Sequence, residues 1–161
     1  WWGGILAIPG PEPPYRPGLR SRRPEPMPSS SNRAIVERFL QAARERDIPT
    51  MQALTTPDVR VLEAASLPFG GEHVGLDAFL ALSRTVFSQL GITTLRIERI
   101  IAEEDLVVVL ASIRGTPPGM APFEMPITEI WQVRDGRIRE IRPFYLDTHL
   151  LLTLVQPRPE A

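Results

Sequence analysis

Among the 19 acidic side chains of this chain, Glu63 is the main candidate for acid–base chemistry. It ends a short strand-like run and is followed by small residues and a glycine-rich loop. A carboxylate at such a place can act as a general base if burial raises its pKa toward the working pH. The alternative interpretation is a partly solvated acid, or one paired with an arginine.

His73 and Tyr145 are the other candidates. His73 lies in the loop after Glu63, where an imidazole at a pocket rim can polarise a ligand oxygen or accept a proton; the alternative is a surface histidine. The Tyr145 phenol can bind a ligand oxygen, or it can be a core hydroxyl satisfied within the protein. We predict Glu63 and His73 as the catalytic residues.

Metal and cofactor chemistry is not indicated. The chain has no Cys, so thiolate ligands, thiol nucleophiles and disulfides do not arise. Its two histidines, His73 and His149, lie far apart and form no metal-binding constellation. The Gly70–Gly71 pair lacks the Lys and Ser or Thr that a phosphate loop needs. We therefore expect neither a metal site nor a cofactor.

The composition limits the classes of molecule that this chain is expected to bind. The net charge of −1, with both signs mixed along 161 residues, argues against a nucleic-acid binder, which needs a concentrated basic face. All 18 basic residues are Arg, a sign of GC-rich coding that suggests a bacterial source. The apolar start at residues 1–8 is too short to span a bilayer. We expect a cytoplasmic protein that binds a small apolar molecule and neither nucleic acid nor membrane.

The organisation along the chain predicts one domain. Residues 1–28 hold eight of the 18 prolines and show no periodicity, so we expect an extended tail outside the fold, with Met27 as the natural start. The domain is expected at 29–156, followed by a short tail at 157–161. One such domain is large enough to bury a core of its own.

Periodicity predicts the elements inside this domain. Apolar spacings of three and four predict helices from Asn32, from Asp47 to Leu54, and from Leu76 to Leu90. A short strand is expected at 59–63, then a long loop to Gly75. Four further strands are expected at 93–102, 106–116, 123–133 and 137–145, before a last helix through Leu154. Helices gathered before antiparallel strands indicate an α+β fold.

The sheet must bury both of its faces. Residues 106–113 are almost continuously apolar, and Ile130 and Trp131 point to opposite faces because strand side chains alternate. We place Thr128 and Ile130 toward the interior and Glu129 and Trp131 toward a partner. A homodimer through the outer sheet face is therefore expected.

This order of elements, with the segments 69–75 and 141–147, resembles the SnoaL-like branch of the nuclear transport factor 2-like and ketosteroid isomerase-like superfamily. The resemblance covers Asn32 to about Leu154. It implies a cone-shaped barrel in which three N-terminal helices pack on a strongly bent, mostly antiparallel sheet around an apolar pocket. Members include isomerases, cyclases, dehydratases and non-catalytic modules, so the fold leaves the function open.

The ketosteroid isomerases within this superfamily give the sharpest comparison. Glu63 falls on their general base, whereas Phe39 and Thr128 stand where their oxyanion-hole Tyr and protonated Asp would be. Steroid isomerisation is therefore not expected. By this resemblance the ligand-binding residues are Phe39, Phe69, Leu110, Thr128, Ile130, Pro143 and Tyr145.

Two classes of function remain after this comparison. The first is a cofactor-independent enzyme of the isomerase, cyclase or dehydratase kind that acts on a small apolar carbonyl compound in a closed pocket. Glu63 would be its general base. The alternative is a non-catalytic module for small-molecule binding or dimerisation.

Overall fold

The computed structural model describes residues 29–155, and within them the chain forms four helices and one six-stranded sheet. The predicted tails at 1–28 and 157–161, with Met27, lie outside the described residues. The helices are α1 (Ser29–Glu45), α2 (Ile48–Leu54), α3 (Leu76–Gln89) and α4 (Thr148–Val155). The strands are β1 (Thr55–Glu63), β2 (Gly71–Val74), β3 (Ile92–Glu103), β4 (Leu106–Gly115), β5 (Phe123–Arg134) and β6 (Arg137–Tyr145).

The strand order across the sheet is β2-β1-β6-β5-β4-β3. β1 and β6 run parallel, and the other neighbours are antiparallel. The predicted α+β fold with a mostly antiparallel sheet is confirmed. The sheet remains open at β2 and β3, so the helices complete the cone in place of a closed ring of strands. Within residues 29–155 no helix has both the length and the apolar character needed to cross a bilayer.

The helices cover one face of this sheet, called the inner face below. The Phe39 ring of α1 packs edge-on against Trp131 of β5, with 5.3 Å between the ring centroids, and against Phe79 of α3 at 5.6 Å. Phe39 and Trp131 are almost fully buried. Edge-to-face aromatic packing of this kind stabilises a core beyond the area that it buries. The core therefore lies between the inner face and α1 with α3.

The predicted orientation of β5 was wrong. Trp131 lies on the inner face, and Glu129 shares that face because strand side chains alternate. Thr128 and Ile130 therefore lie on the outer face. Both sets of alternate positions in 127–133 include apolar residues, so the local pattern left the orientation undecided. A shift of one residue in that assignment moves every side chain to the other face.

The strands β1 and β2 differ locally from the sequence prediction. The segment from Ala64 to Gly75, expected as loop, contains the edge strand β2, which pairs with β1 from Arg60↔Val74 to Glu63↔Gly71. A four-residue edge strand has too few alternating positions for its pattern to be recognised. β1 also begins earlier than predicted, at Thr55, and its pairing with β6 is irregular between Thr55 and Arg60.

Candidate functional site

Glu63 and Tyr145 come together at one edge of the inner face. Each is the last residue of its strand, and parallel strands place their carboxyl ends at the same edge. The Tyr145 hydroxyl donates a hydrogen bond to Glu63 Oε1 at 3.1 Å. Glu63 is 8% exposed. The resulting pair is a buried carboxyl group held by a phenol.

Glu129 is the third member of this cluster. It lies on β5 opposite Pro143 of β6, and it is partly buried. The indole Nε1–H of Trp131 donates a hydrogen bond to Glu129 Oε2 at 3.1 Å. Two acidic side chains therefore share the inner face, each held through one oxygen by an aromatic side chain. Glu63, Glu129 and Tyr145 are called the acid cluster below.

The pKa of Glu63 is raised to about 7, chiefly by burial. The Tyr145 hydrogen bond opposes this rise, the charge of Glu129 adds to it, and the Ala64 N–H opposes it. Burial also raises the pKa of Glu129 to about 7, against the Trp131 hydrogen bond. Near neutral pH both carboxyl groups are thus close to half-protonated, the condition in which a carboxyl can serve as an efficient general base.

Tyr145 remains a hydrogen-bond donor at neutral pH. Burial raises the pKa of its phenol, and the charges of Glu63 and Glu129 raise it further. A phenol in such surroundings keeps its proton, because ionisation would add another negative charge to the acid cluster. Tyr145 therefore positions the Glu63 carboxyl group and does not act as a base.

One oxygen of Glu63 remains without a partner. Oε2 is buried and makes no hydrogen bond to any described residue. A buried acceptor without a donor costs about 1–3 kcal/mol, so such atoms are uncommon away from functional positions. Oε2 is the atom of this carboxyl group that is free to act on a ligand.

His73 lies in a different environment from the acid cluster. It is half-buried on β2, opposite Val61, and its Nε2–H donates to the Phe69 carbonyl oxygen at 3.0 Å. A groove of about 340 Å³ runs between this segment and α3. It is lined by Pro68, Phe69, His73, Ala78, Ala81, Leu82 and Thr85. Glu63 is not among these residues, so this groove does not join the two predicted catalytic side chains.

The predicted ligand-binding residues divide between the two sheet faces. Phe39, Pro143 and Tyr145 lie on the side of the acid cluster, and Phe69 lies in the groove. Leu110 and Thr128 are paired neighbours on the outer face, and Ile130 lies beside them opposite Val108. These last three cannot share a pocket with Glu63, because the sheet separates them. Thr128 is therefore no donor to a ligand at Glu63.

Glu129 is the functional candidate that the sequence interpretation misplaced. A signal for its true position is present at alternate residues from Phe123 to Ile127, which are apolar and continue in phase through Glu129 to Trp131. Extending that alternation along the whole strand places Glu129 on the inner face. Among residues 29–155, no three His, Asp or Glu side chains converge as metal ligands.

Comparison with known proteins finds a family model that matches most of this fold. A family model described as a SnoaL-like domain matches residues 36–141. That span holds most of the fold, with Glu63 and Glu129 inside it and Tyr145 just beyond its end. No curated protein sequence matches this chain.

Many solved structures share the fold. A putative SnoaL-like polyketide cyclase from Jannaschia sp. CCS1 is 21% identical, with a TM-score of 0.66, over 88% of this chain and 100% of the other. An NTF2-like protein from Burkholderia xenovorans LB400 is 22% identical, with a TM-score of 0.68, over 81% and 99%. TerC, co-crystallised with polyporic acid, is 22% identical, with a TM-score of 0.63, over 79% and 99%. At these identities the likeness establishes the fold.

Proposed function

The chain belongs to the SnoaL-like domain family, and on that premise we propose that it is a cofactor-independent enzyme of the isomerase, cyclase or dehydratase kind. Its substrate is a small apolar carbonyl compound bound on the inner face, and Glu63 is the general base. The similarity to a protein named as a putative SnoaL-like polyketide cyclase supports this class of reaction. The residue roles are argued from this chain alone.

The buried Glu63 carboxyl group is the observation that carries this proposal. Its pKa of about 7 matches a base that must lose and gain a proton at neutral pH. Oε2 is free to accept a proton from the carbon next to a carbonyl, while the Tyr145 hydrogen bond holds Oε1 in place. A role for His73 at the substrate oxygen remains a prediction.

Exchange of substrate protons with solvent tests this function. A panel of uncharged apolar ketones is incubated with the protein in D2O, and deuterium entry at the carbon next to the carbonyl is followed by NMR. We expect at least one ketone to exchange faster than in buffer, because Glu63 returns a solvent deuteron to the carbanion. Exchange at the buffer rate across the panel, at every pH from 5 to 9, contradicts the proposal.

A second candidate function is non-catalytic binding of a small apolar molecule. A different observation favours it: the groove of about 340 Å³ beside Phe69 has a largely apolar lining and does not include Glu63. A ligand held there would need no base. Saturable ligand binding that survives Glu63→Ala, without proton exchange on any ketone, would favour this second function.

We also propose a homodimer through the outer sheet face. Side chains of β3, β4, β5 and β6 form an apolar block there, made of Ile101, Val108, Leu110, Thr128, Ile130 and Phe144. Ile101 and Phe144 are about half exposed. Around the block lie charges of both signs, such as Arg96 with Glu98 and Arg114 with Glu124. A mixed rim of this kind suits a second copy related by a two-fold axis.

Phe144→Glu is expected to weaken this dimer at least about tenfold, because it places one charge per protomer in the apolar block. Sedimentation velocity over a concentration series measures the change. Phe87→Glu is the matched control, since Phe87 is similarly exposed but lies on α3. A wild-type protein that is monomeric at about 100 micromolar, or equal weakening in both variants, contradicts the proposed interface.

A further inference from the structure

No arginine among residues 29–155 is buried with the acid cluster, since every one of them is exposed. Within the described residues, Glu129 is the only charged side chain whose charge shifts the pKa of Glu63, and it has the same sign. His73 has its Nε2–H committed to the Phe69 carbonyl oxygen. The buried Glu63 and the partly buried Glu129 thus share the inner face without a counter-ion among the described residues.

The free oxygen of Glu63 adds an independent observation. The side chain is more than nine-tenths buried, and Oε2 lacks any donor among the described residues. Buried carboxylates are normally paired with a cation or with several hydrogen-bond donors. Here the phenol of Tyr145 and the Ala64 N–H act on Glu63, and the indole of Trp131 acts on Glu129. A ligand with an N–H or O–H group would supply the donor that Oε2 lacks among the described residues.

We propose that the ligand of the acid cluster is an organic cation, a protonated amine on an apolar body, whose N–H groups are directed at Glu63 Oε2 and at the Glu129 carboxylate. The inference rests on the proposed function, because it concerns the same site. It narrows the substrate to a carbonyl compound that also carries a basic nitrogen.

The surroundings favour an organic cation over a metal ion. Two carboxyl groups supply fewer than the six to eight oxygens that Ca²⁺ takes, and Mg²⁺ held by one or two carboxylates keeps several waters, which suits an open site better than this buried one. Trp131, which donates to Glu129, is aromatic and packs against Phe39, and aromatic rings attract ammonium groups as well as apolar bodies. An anionic ligand would add a third negative charge beside Glu63 and Glu129, which the low-dielectric interior opposes.

A bound cation would also change the protonation state of Glu63. A positive charge next to a carboxyl group favours the ionised form and lowers its pKa. Because Glu63 and Glu129 each have a pKa of about 7 in the protein alone, an ammonium group displaces protons from them at neutral pH. The substrate thus converts Glu63 from a half-protonated acid into the carboxylate that removes its proton.

Calorimetric titration with three matched probes tests the inference. The probes are 2-phenylethylamine, 2-phenylethanol and 3-phenylpropanoate, which are positive, neutral and negative at pH 7. We expect the amine to bind at least about tenfold more tightly than the alcohol, a difference of about 1.4 kcal/mol, and the carboxylate to bind most weakly. Titrations in two buffers with different ionisation enthalpies should show net proton release for the amine alone.

Two variants assign the preference to the acid cluster. Glu129→Gln keeps the shape of the side chain and removes its charge, so it should abolish most of the preference for the amine. Glu37→Gln removes an equal charge from an exposed position on α1 and should leave the preference intact. Circular dichroism confirms that both variants are folded.

Equal binding of amine and alcohol, or binding of none of the three probes at millimolar concentration, overturns the inference. Equal loss of the preference in Glu129→Gln and Glu37→Gln overturns it as well. Exchange of an uncharged ketone without any preference for amines would support the base at Glu63 and refute the cation. Preferential binding of the amine, with no exchange on either uncharged or amino-substituted ketones, would support the cation and refute the base at Glu63.

Discussion

Glu63→Gln is expected to slow deuterium exchange on the substrate by a factor of about 10²–10⁴, the usual contribution of a positioned general base. The amide introduced by this substitution cannot act as a base, although its oxygen can still accept the Tyr145 hydrogen bond. The variant should therefore keep the fold and lose the chemistry. Rates measured by NMR in D2O with the exchanging ketone, together with the far-ultraviolet circular dichroism spectrum, separate these two effects.

Two further variants sharpen this result. Tyr145→Phe removes the hydroxyl that positions Glu63 Oε1, so it should reduce exchange by less, about tenfold. Glu37→Gln, on the exposed face of α1, should exchange like the wild type. A Glu63→Gln variant that retains the wild-type rate would remove Glu63 from the mechanism, whatever the other variants do.

The free energy of unfolding is expected to fall as the pH rises from about 4.5 to above 7. Glu63 and Glu129 have a pKa of about 7 in the folded protein and an ordinary value near 4.5 in the unfolded chain. Between these values the folded state binds more protons, so deprotonation favours unfolding. For Glu63 the shift corresponds to a loss on the order of 3 kcal/mol, nearly complete by about pH 8.

Urea unfolding of the wild type and of Glu63→Gln at several pH values measures this effect. The two proteins should be about equally stable near pH 4.5, where Glu63 is protonated in the folded state. At pH 8 the variant should be the more stable one by about 3 kcal/mol. A matched variant, Glu37→Gln, should follow the wild-type profile. Wild-type stability that rises through this range would show that neither carboxyl group titrates as an isolated buried acid.

Glu140, on the outer face, has a pKa that shifts in the opposite direction to that of Glu63. Burial by itself would raise its pKa, but hydrogen bonds from Arg60 and Arg142 outweigh burial, and the net shift is downward. Its stabilising contribution is therefore present above the unfolded value and is lost only at more acid pH. Because this loss occurs at lower pH, it does not mask the change expected from Glu63.

Much of the fold could be predicted from the sequence. The α+β class, the three helices before the main strands, and the last helix follow from periodicity and turn residues, and the structure confirms them. The family resemblance is confirmed as well. Glu63 could be singled out because it ends a strand and precedes a glycine-rich loop. These features are local, and short-range spacing is what a sequence displays directly.

Tertiary structure decided which residues come together at the site. Glu129 joins Glu63 and Tyr145 only because β5 presents Trp131 to α1, and a strand that is apolar on both faces does not show that orientation locally. The parallel pairing of β1 with β6 brings Glu63 to Tyr145 across 82 positions of sequence. The raised pKa of Glu63 follows from burial and from Glu129, and both exist only once the sheet has formed around the helices. The sequence by itself thus determined most of the elements, without the edge strand β2, and one acidic residue. Long-range strand pairing decided which groups surround that residue and how it ionises.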